Sequence, residues 1–386
     1  MKIKSVLKLA AVVAIAVGGV FMSDKTEAAQ LTVFQQNAPF MNIQALWSDP
    51  KRLGEFLYEA TFHEYDYAKG YNFMKTQYAP AGACSTVRNG NFLGRNYDGK
   101  YDWVREVVVH TPAKDGRHAV VGVAASINVE PNNPIIIPVN GYFKYLPFCT
   151  LDGMNDAGLV ACLNLVEADY GHTTGTNPGK EDLNVYMAVR YLLDNTGSVD
   201  EAINVLNNKN MYSSKNFEAH IMLADAQKTA IVEFVNNKMV VKEGTIMTNF
   251  FNTQEGYNAH AQGVERYNIL KDNYAAANNK AGMLALLDSV RFSKLYTRGV
   301  AAPWYSDMHS IAKGVEMNTP VAQKAALLEA ETKNYEAHIR NYDCRMTKHT
   351  SVYDLANKRL TVIAQEDGKQ FDFGIEQVNY IPGQQQ

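Results

Sequence analysis

The sequence predicts an α+β fold made of two antiparallel sheets with helices packed outside them. Val-rich extended runs come in groups joined by short turns, as at 104–127 and 150–166. Segments with apolar residues at helical spacing come in pairs between these groups, at 183–206 and 264–290. Strands and helices therefore do not alternate one for one, as they would in a parallel α/β sheet.

The elements follow one another in an order that supports this fold class. Turn residues at 114–116, 155–158, 227–228 and 356–358 separate the predicted strands into hairpins. The predicted elements are strands at 104–111 and 119–127, an extended aromatic segment at 140–149, a buried strand ending at 166, helices at 183–193 and 199–206, strands at 220–226, 230–235, 239–242 and 245–251, helices at 264–274 and 282–290, a polar helix at 320–340, and a hairpin over 352–362.

Composition narrows the class of protein. The chain has 386 residues, of which 46% are hydrophobic and 20% charged, as expected of one large globular domain or two ordinary ones. The net charge is −3 and the basic residues are scattered, so no nucleic-acid partner is predicted. The four cysteines match no zinc spacing, and no phosphate-binding loop is present, so we expect neither a metal nor another cofactor.

Residues 1–29 have the pattern of a secretory signal peptide. Three lysines lie within the first eight residues, an apolar stretch covers 9–22, and small residues follow at Ala28-Ala29. The apolar stretch is short for a membrane span, and no cysteine follows it to carry a lipid anchor. The mature protein is therefore expected to be secreted, periplasmic or in the cell envelope, without a stable membrane span.

Residues 30–83 differ from the chain that follows and are predicted to form a mostly helical pro-segment. Apolar residues at helical spacing run through 41–74, with an interruption at Pro50. Pro80-Ala81-Gly82-Ala83 then ends regular structure directly before a cysteine. Small residues at that position allow a tight backbone conformation, although they also suit an ordinary linker.

The segment 84–98 predicts a hairpin that carries chemistry. Asn89-Gly90 between two extended runs is a strong turn signal. Such a hairpin returns Arg95 and Asp98 towards Cys84, which places a thiol, a guanidinium and a carboxylate close together. A cation or a base beside a thiol favours the nucleophilic thiolate, whereas a buried structural cysteine and a plain ion pair are the alternative interpretation.

Several motifs in order along the chain resemble the choloylglycine hydrolase family, which includes bile salt hydrolases and penicillin V acylases. The resemblance covers most of the chain from Cys84 to about Phe373. Its motifs are Cys84 with Gly94-Arg95-Asn96-Tyr97-Asp98, Asp152-Gly153-Met154-Asn155-Asp156-Ala157-Gly158-Leu159, Leu163-Asn164, Met247-Thr248-Asn249, Glu265-Arg266-Tyr267, and His349-Thr350-Ser351-Val352-Tyr353-Asp354.

This resemblance implies a hydrolase with an N-terminal nucleophile (Ntn-hydrolase) over 84–386, folded as a four-layer αββα sandwich. Cys84 would become the first residue of the mature chain, with its thiol as nucleophile and its own α-amine as base. A free α-amine has a pKa of about 7.7–8.0, which suits a general base near neutral pH.

The resemblance also implies a role for each remaining site residue. Arg95 would support the thiolate, and Asp98 would orient the α-amine. Asn249, through its side-chain N–H, and Asn164, through its backbone N–H, would bind the tetrahedral oxyanion. Arg266 would stabilise charge at the centre. Without the family, the two asparagines would be ordinary turn or strand-end residues, and Arg266 an ordinary helix-surface arginine.

The implied reaction is hydrolysis of a linear amide with an apolar acyl group, through a thioester on Cys84. Candidate substrates are conjugated bile acids, phenoxyacyl penicillin, and N-acyl amino acids or lactones. The long stretch before Cys84 resembles that of relatives that cut themselves, which implies autocatalytic cleavage after Ala83. Retention of the cleaved pro-segment and a homo-oligomer are both compatible with the sequence.

Three alternatives remain at this point. The thioester could pass its acyl group to an amine, which makes the protein an acyltransferase of the same fold. The protein could be a catalytically silent exported binding protein, with Cys84 in a disulfide to Cys149, Cys162 or Cys344. A papain-like protease is disfavoured because the residues typical of that cysteine's surroundings are missing.

Overall fold

The structure is a computed structural model that describes residues 51–53, 57–62, 70, 82–99, 106–125, 142–166, 179–212, 218–235, 238–253, 263–291, 346–365 and 368–375. The predicted signal peptide, most of the predicted pro-segment, Cys344 and the predicted polar helix at 320–340 lie outside the described residues. Within the described ranges, no helix is long and apolar enough to cross a membrane.

Seventeen strands make up about half of the described chain. They are β1 (Lys51–Arg52), β2 (Leu57–Thr61), β3 (Gly82–Asn89), β4 (Phe92–Gly99), β5 (Glu106–Thr111), β6 (Val120–Ala125), β7 (Thr150–Asn155), β8 (Val160–Val166), β9 (Glu181–Asn184), β10 (Lys209–Tyr212), β11 (Glu218–Ala224), β12 (Thr229–Val235), β13 (Lys238–Lys242), β14 (Ile246–Met247), β15 (Met346–Asp354), β16 (Arg359–Ala364) and β17 (Gln370–Gly374).

Four α-helices lie among these strands: α1 (Val185–Asn195), α2 (Val199–Asn207), α3 (Gly263–Asp272) and α4 (Lys280–Ser289). Three of them begin at a side chain that accepts a hydrogen bond from a free backbone N–H of the first turn. These N-caps are Asn184, Ser198 and Asn279. The bounds of all four helices lie within two residues of those predicted from apolar spacing.

The strands form two large sheets. The larger has nine strands in the order β1-β2-β5-β6-β7-β8-β11-β12-β13, and the smaller has six in the order β14-β3-β4-β15-β16-β17. All neighbours are antiparallel except β2 and β5, which run parallel. A separate parallel pair, β9 with β10, lies outside both sheets.

The two sheets pack face to face, with helices on both outer faces. Helix α1 packs on β7 and β8 of the larger sheet, β3 packs on β8 between the sheets, and α3 and α4 pack on β3, β4 and β15 of the smaller sheet. A separate group of buried apolar residues fills each of the three interfaces. The predicted four-layer αββα sandwich of the Ntn-hydrolase fold is confirmed.

The β3–β4 hairpin is confirmed with a small correction to its turn. Asn89 pairs with Phe92, so the central turn residues are Gly90 and Asn91, one position later than predicted. Of these two, only Gly90 has a positive φ, at 57°. Glycine adopts this conformation without the steric penalty that a Cβ brings.

Three predictions of local structure are wrong. Of the strand predicted at 245–251, only Ile246–Met247 (β14) forms a strand, because β3 offers a partner edge there for two residues only. The stretch 57–61, predicted to be helical, is strand β2, because its Tyr and Thr residues suit a strand and because β5 offers a partner edge. The segment predicted to be extended at 140–149 contains a 3₁₀ helix, Tyr142–Cys149. Pro147 fits there because its fixed φ matches the 3₁₀ backbone.

Candidate active site

Cys84 lies in the interior of β3, in the layer between the two sheets. Its side chain is 2% exposed, and its backbone pairs with Tyr97 of β4. Arg95 of β4 donates a hydrogen bond from Nη2 to the Cys84 Sγ at 3.2 Å. The hairpin therefore brings the predicted cation to the predicted nucleophile, as the sequence indicated.

Arg95 is held by a carboxylate to which the sequence analysis assigned no role. Its Nη1 lies 2.6 Å from Asp152 Oδ2 of β7, and its Nη2 also donates to the Leu163 carbonyl at 2.7 Å. Burial raises the pKa of Asp152, but Arg95 and other partners outweigh burial and lower that pKa to about 2. Asp152 is therefore an anion that fixes Arg95 against the thiol.

Asp98 approaches Cys84 from the other face of the smaller sheet. Arg266 of α3 places Nη1 2.5 Å from Asp98 Oδ2, and Thr347 donates to Asp98 Oδ1 at 2.5 Å. The predicted proximity of Arg95 and Asp98 is therefore only partly right. Residues three apart on a strand project to opposite faces, so each joins a separate ion pair.

Asn249 and Arg266 hold the two backbone polar groups of Cys84. The Cys84 N–H donates to Asn249 Oδ1 at 3.0 Å, and Arg266 Nη2 donates to the Cys84 carbonyl at 3.1 Å. Arg266 Nη2 also contacts Asn249 Oδ1, so two donors point at that oxygen. The amide orientation of Asn249 follows from this contact pattern.

The N–H of Asn249 is already engaged in this uncleaved chain. Its Nδ2 donates to the Leu165 carbonyl at 2.6 Å rather than towards the thiol. Asn164 of β8 accepts at Oδ1 from Thr86 at 3.1 Å and donates from Nδ2 to the Met247 carbonyl at 3.1 Å. Both asparagines therefore lie at the site, while their oxyanion roles stay predictions.

A buried histidine and glutamate anchor the loop that carries Asn249. His220 of β11 contacts the Thr248 carbonyl through Nε2 at 2.7 Å and Glu233 through Nδ1 at 3.2 Å. Glu233 also accepts from the backbone N–H of Thr253 at 2.9 Å. Burial raises the pKa of Glu233, but His220 and these backbone donors lower it overall, so the carboxylate stays charged.

Close contact between α3 and this loop depends on a glycine. Gly263 begins α3, and its carbonyl accepts from the Thr248 hydroxyl at 2.9 Å. A Cβ at Gly263 would lie 2.5 Å from the backbone nitrogen of Asn249. Any larger residue would push α3, and with it Arg266, away from the site.

The surroundings of the Cys84 thiol favour its neutral form in this structure. Burial raises its pKa more than Arg95 and Arg266 lower it, and Asp98 adds to the rise. Cys149 and Cys162 are also buried, and burial raises the pKa of each. All three are free, which contradicts a disulfide from Cys84 to Cys149 or Cys162.

The sequence missed residues around the site that carry no distinctive pattern of their own. Asp152 and His349 stand inside motifs that were recognised, yet neither received a role. Thr347 and Glu106 lie outside those motifs. Alternation along the buried strand β7 could have placed Asp152 in the layer between the sheets, whereas nothing local points to the others. The described residues contain no cluster of His, Cys, Asp and Glu that could hold a metal ion.

An αββα sandwich with a buried cysteine beside a guanidinium is the arrangement expected of Ntn-hydrolases. The sequence profile of the family described as acyl-coenzyme A:6-aminopenicillanic acid acyl-transferase matches residues 86–299, more than half of the chain. The chain belongs to this family. The resemblance drawn from its motifs is thereby confirmed.

Individual relatives give a narrower comparison. The chain is 35% identical over 115 residues to the penicillin V acylase of Pectobacterium atrosepticum, a stretch that covers 26% of this chain and 30% of that protein. A mutant of the conjugated bile acid hydrolase of Clostridium perfringens is similar in structure, with 16% identity, 76% of this chain and 93% of that chain covered, and a TM-score of 0.49. The penicillin V acylase of Agrobacterium tumefaciens has 20% identity, coverage of 76% and 86%, and a TM-score of 0.36.

Proposed function

We propose that the protein is an exported amidase that hydrolyses a linear N-acyl amide through a thioester on Cys84, after autocatalytic cleavage between Ala83 and Cys84. The observation that carries this proposal is the set of contacts around Cys84. Arg95 donates to its Sγ at 3.2 Å, Asn249 accepts from its N–H at 3.0 Å, and Arg266 donates to its carbonyl at 3.1 Å. Any buried residue needs partners for its backbone groups, but a merely structural cysteine does not need a guanidinium at its sulfur.

Cleavage begins when the Cys84 sulfur attacks the carbonyl carbon of Ala83. A C–S bond forms, the C–N bond to Cys84 breaks, and the nitrogen takes up the proton that the thiol gives up, so that it becomes an amine. Water then hydrolyses the thioester, which leaves a carboxylate on Ala83 and a free thiol and α-amine on Cys84. Asn249 Oδ1 accepts a hydrogen bond from the departing nitrogen, and this contact favours the N-to-S shift because it holds the reacting peptide bond in one orientation.

Turnover uses the same groups with the substrate carbonyl in place of Ala83. The α-amine of Cys84 takes the thiol proton, and the sulfur attacks the acyl carbon. Asp98, fixed by Arg266 and Thr347, orients the amine. The oxyanion is bound by the Asn164 backbone N–H and by Asn249 Nδ2, which turns away from the Leu165 carbonyl once the chain is cut. The amine product leaves, and water releases the acid.

The substrate class follows from the relatives and from composition. Penicillin V acylases and a conjugated bile acid hydrolase are among the similar proteins. The 22 Tyr and 16 Phe residues suit an apolar acyl group. Conjugated bile acids, phenoxyacyl penicillin, and N-acyl amino acids or lactones are therefore the substrates to screen.

Acyl transfer is the second candidate, and the description of the matched family favours it. In that reaction an amine replaces water in the attack on the thioester. Incubation of substrate with an added amine separates the two reactions. A hydrolase gives mainly the free acid, and an acyltransferase gives the new amide.

The cleaved pro-segment is proposed to stay bound to the mature chain. Five residue pairs join β2 to β5, and Phe62 donates from its N–H to the His110 carbonyl at 2.8 Å. Leu57 and Phe62 are 1% and 0% exposed, so release would return their apolar surface to water.

The first test is the N-terminal sequence and intact mass of the purified protein beside Cys84→Ala. The proposal expects the wild type to begin at Cys84 with the pro-segment as a second band on a denaturing gel, and the variant to stay uncleaved. Cys162→Ala, at another buried free cysteine, is the matched control and should be cleaved. A wild type that begins near Gln30 would leave Cys84 without an α-amine and would exclude the mechanism.

A further inference from the structure

A row of alternating charges runs through the layer between the sheets and ends at Cys84. Glu106 Oε2 lies 2.7 Å from His349 Nδ1, and His349 Nε2 lies 3.5 Å from Asp152 Oδ2. Asp152 Oδ2 lies 2.6 Å from Arg95 Nη1, and Arg95 Nη2 lies 3.2 Å from the Cys84 Sγ. The five side chains come from five strands, and each is at most 3% exposed.

We propose that His349 is a positioning residue that acts on the Cys84 thiol through Asp152 and Arg95, as the cation that keeps this row of charges balanced. The inference rests on the proposed role of Cys84 as nucleophile. His349 touches neither the thiol nor any reacting atom, so its effect is electrostatic and passes along the row. Without its positive charge, Glu106 and Asp152 would be two buried carboxylates facing only one cation.

The protonation state of His349 follows from its surroundings. Both ring nitrogens face carboxylate oxygens, which accept hydrogen bonds when ionised. Burial alone would lower the pKa of His349, but Glu106 and Asp152 outweigh burial and raise it to about 9. The ring therefore carries its charge throughout the pH range in which an α-amine of ordinary pKa works as a base.

Aromatic packing fixes the row laterally. The His349 ring stacks on Tyr97 with centroids 5.4 Å apart, and the Arg95 guanidinium lies 5.3 Å from the centre of the same ring. Tyr97 therefore touches both cations.

The row has a defined set of titratable and charged neighbours. The groups between the sheets are Cys84 of β3, Arg95 and Tyr97 of β4, Glu106 of β5, Asp152 of β7, Cys162 of β8, and Tyr353 of β15, which donates to Asp152 Oδ1. On the helix side, Asp98 of β4 and Arg266 of α3 also act on Cys84.

The test measures the ionisation of Cys84 directly, without substrate. Mature protein labelled with ¹³C at cysteine Cβ is titrated by NMR from pH 5 to 11, and the Cys84 signal is assigned as the one that remains in each of Cys149→Ala, Cys162→Ala and Cys344→Ala. In His349→Gln we expect the Cys84 midpoint to rise by about one pH unit, or about tenfold less thiolate at a fixed pH. In Glu106→Gln the cation of His349 is less compensated, so the midpoint should fall.

Opposite signs for the two variants distinguish an electrostatic effect from damage to the fold, which would act in one direction. The double variant should have a midpoint between those of the single variants. His110→Gln is the matched control, because His110 is also buried but pairs with Glu59, away from the row. It should leave the Cys84 midpoint unchanged.

An unchanged or lower midpoint in His349→Gln would overturn the inference. If that variant does not fold, Glu106→Gln decides alone, and a rise or no change in its midpoint counts against the proposal. These outcomes are separate from failure of the proposed function, which would be a wild-type chain that keeps the residues before Cys84 or has no amidase activity.

Discussion

Two buried ion pairs flank Cys84, one on each face of the smaller sheet, and they contact different parts of the residue. Arg95 with Asp152 lies between the sheets and reaches the sulfur. Arg266 with Asp98 lies on the helix side and reaches the backbone carbonyl. Strand alternation produces this division, because neighbouring positions of β4 project to opposite faces.

The comparison assigns one contact of the proposed nucleophile to each pair. The pair between the sheets contacts the sulfur, whose ionisation the proposal needs, whereas Arg266 of the pair on the helix side contacts the Cys84 carbonyl, close to the bond that the proposal cuts. Both pairs are fully buried, so removal of either partner would leave an uncompensated charge, at a cost of about 3–5 kcal/mol. Conservative substitutions therefore give the clearest comparison.

The largest difference is expected between Arg266→Lys and Arg95→Lys. A lysine keeps the positive charge but cannot hold two partners in fixed directions as a guanidinium does. Arg266→Lys should retain the Asp98 pair and lose the contact to the Cys84 carbonyl, so cleavage and turnover should fall on the order of 10²-fold, as when a nucleophile is misplaced by about 1 Å. The Cys84 titration midpoint should stay in place.

Arg95→Lys should behave in the reverse way. It should retain the Asp152 pair and lose the contact to Sγ, so the Cys84 midpoint should rise and cleavage should slow by about tenfold. Rates come from the loss of precursor on denaturing gels, and midpoints from cysteine NMR. Equal effects of Arg266→Lys and Arg95→Lys on the Cys84 midpoint would show that the two ion pairs do not have separate roles.

The dependence of stability on pH provides a second contrast, because the pair between the sheets is linked to His349. The pKa of His349 is about 9 in the folded chain against 6.5 for the free side chain. Its contribution is therefore complete below pH 6.5 and is lost as the pH rises through 9, on the order of 3 kcal/mol in total. Asp152 has a folded pKa of about 2 against 3.8, so its contribution is lost only as the pH falls through 2.

Urea unfolding at pH 6, 7, 8 and 9 measures this loss. The free energy of unfolding of the wild type should decline over that range, and that of His349→Gln should be lower at pH 6 and nearly flat. His110→Gln serves again as the control and should decline like the wild type. A parallel decline in His349→Gln would exclude His349 as its source.

Much of the fold could be predicted because its signals are local. Turn residues bounded the hairpins β5–β6, β11–β12 and β15–β16, and apolar spacing predicted helices α1 to α4 close to their positions. Strand β2 could not be predicted in this way. Its Leu57-Tyr58-Glu59-Ala60-Thr61 is compatible with either periodicity, and the open edge of β5, about fifty residues later in sequence, decides the outcome.

The site residues also differ in whether local sequence was enough to predict their positions. Cys84, Arg95 and Asp98 belong to one hairpin, so their proximity could be read from the sequence. Asn164, Asn249 and Arg266 needed the resemblance to a family, because they come from separate elements. Asp152, Thr347, His349 and Glu106 are placed by sheet packing alone. A register shift between Thr347 and His349 puts the first opposite Asp98 and the second opposite Tyr97, which no local pattern indicates.

The smallest contrast concerns the hydroxyl that supports each carboxylate. Thr347 donates to Asp98 and Tyr353 donates to Asp152, so each ion pair has one neutral donor that can be removed without a change of charge. Thr347→Val and Tyr353→Phe should each lower the free energy of unfolding by about 2 kcal/mol, as for a hydrogen bond to a charged group.

The effects of these two variants on the site should differ. Thr347→Val should slow cleavage several-fold at an unchanged Cys84 midpoint. In Tyr353→Phe the less solvated Asp152 attracts Arg95 more strongly, so the midpoint should rise. Denaturation, precursor loss and cysteine NMR on the same two proteins test this, and a midpoint shift in Thr347→Val but not in Tyr353→Phe would reverse the assignment of the two faces.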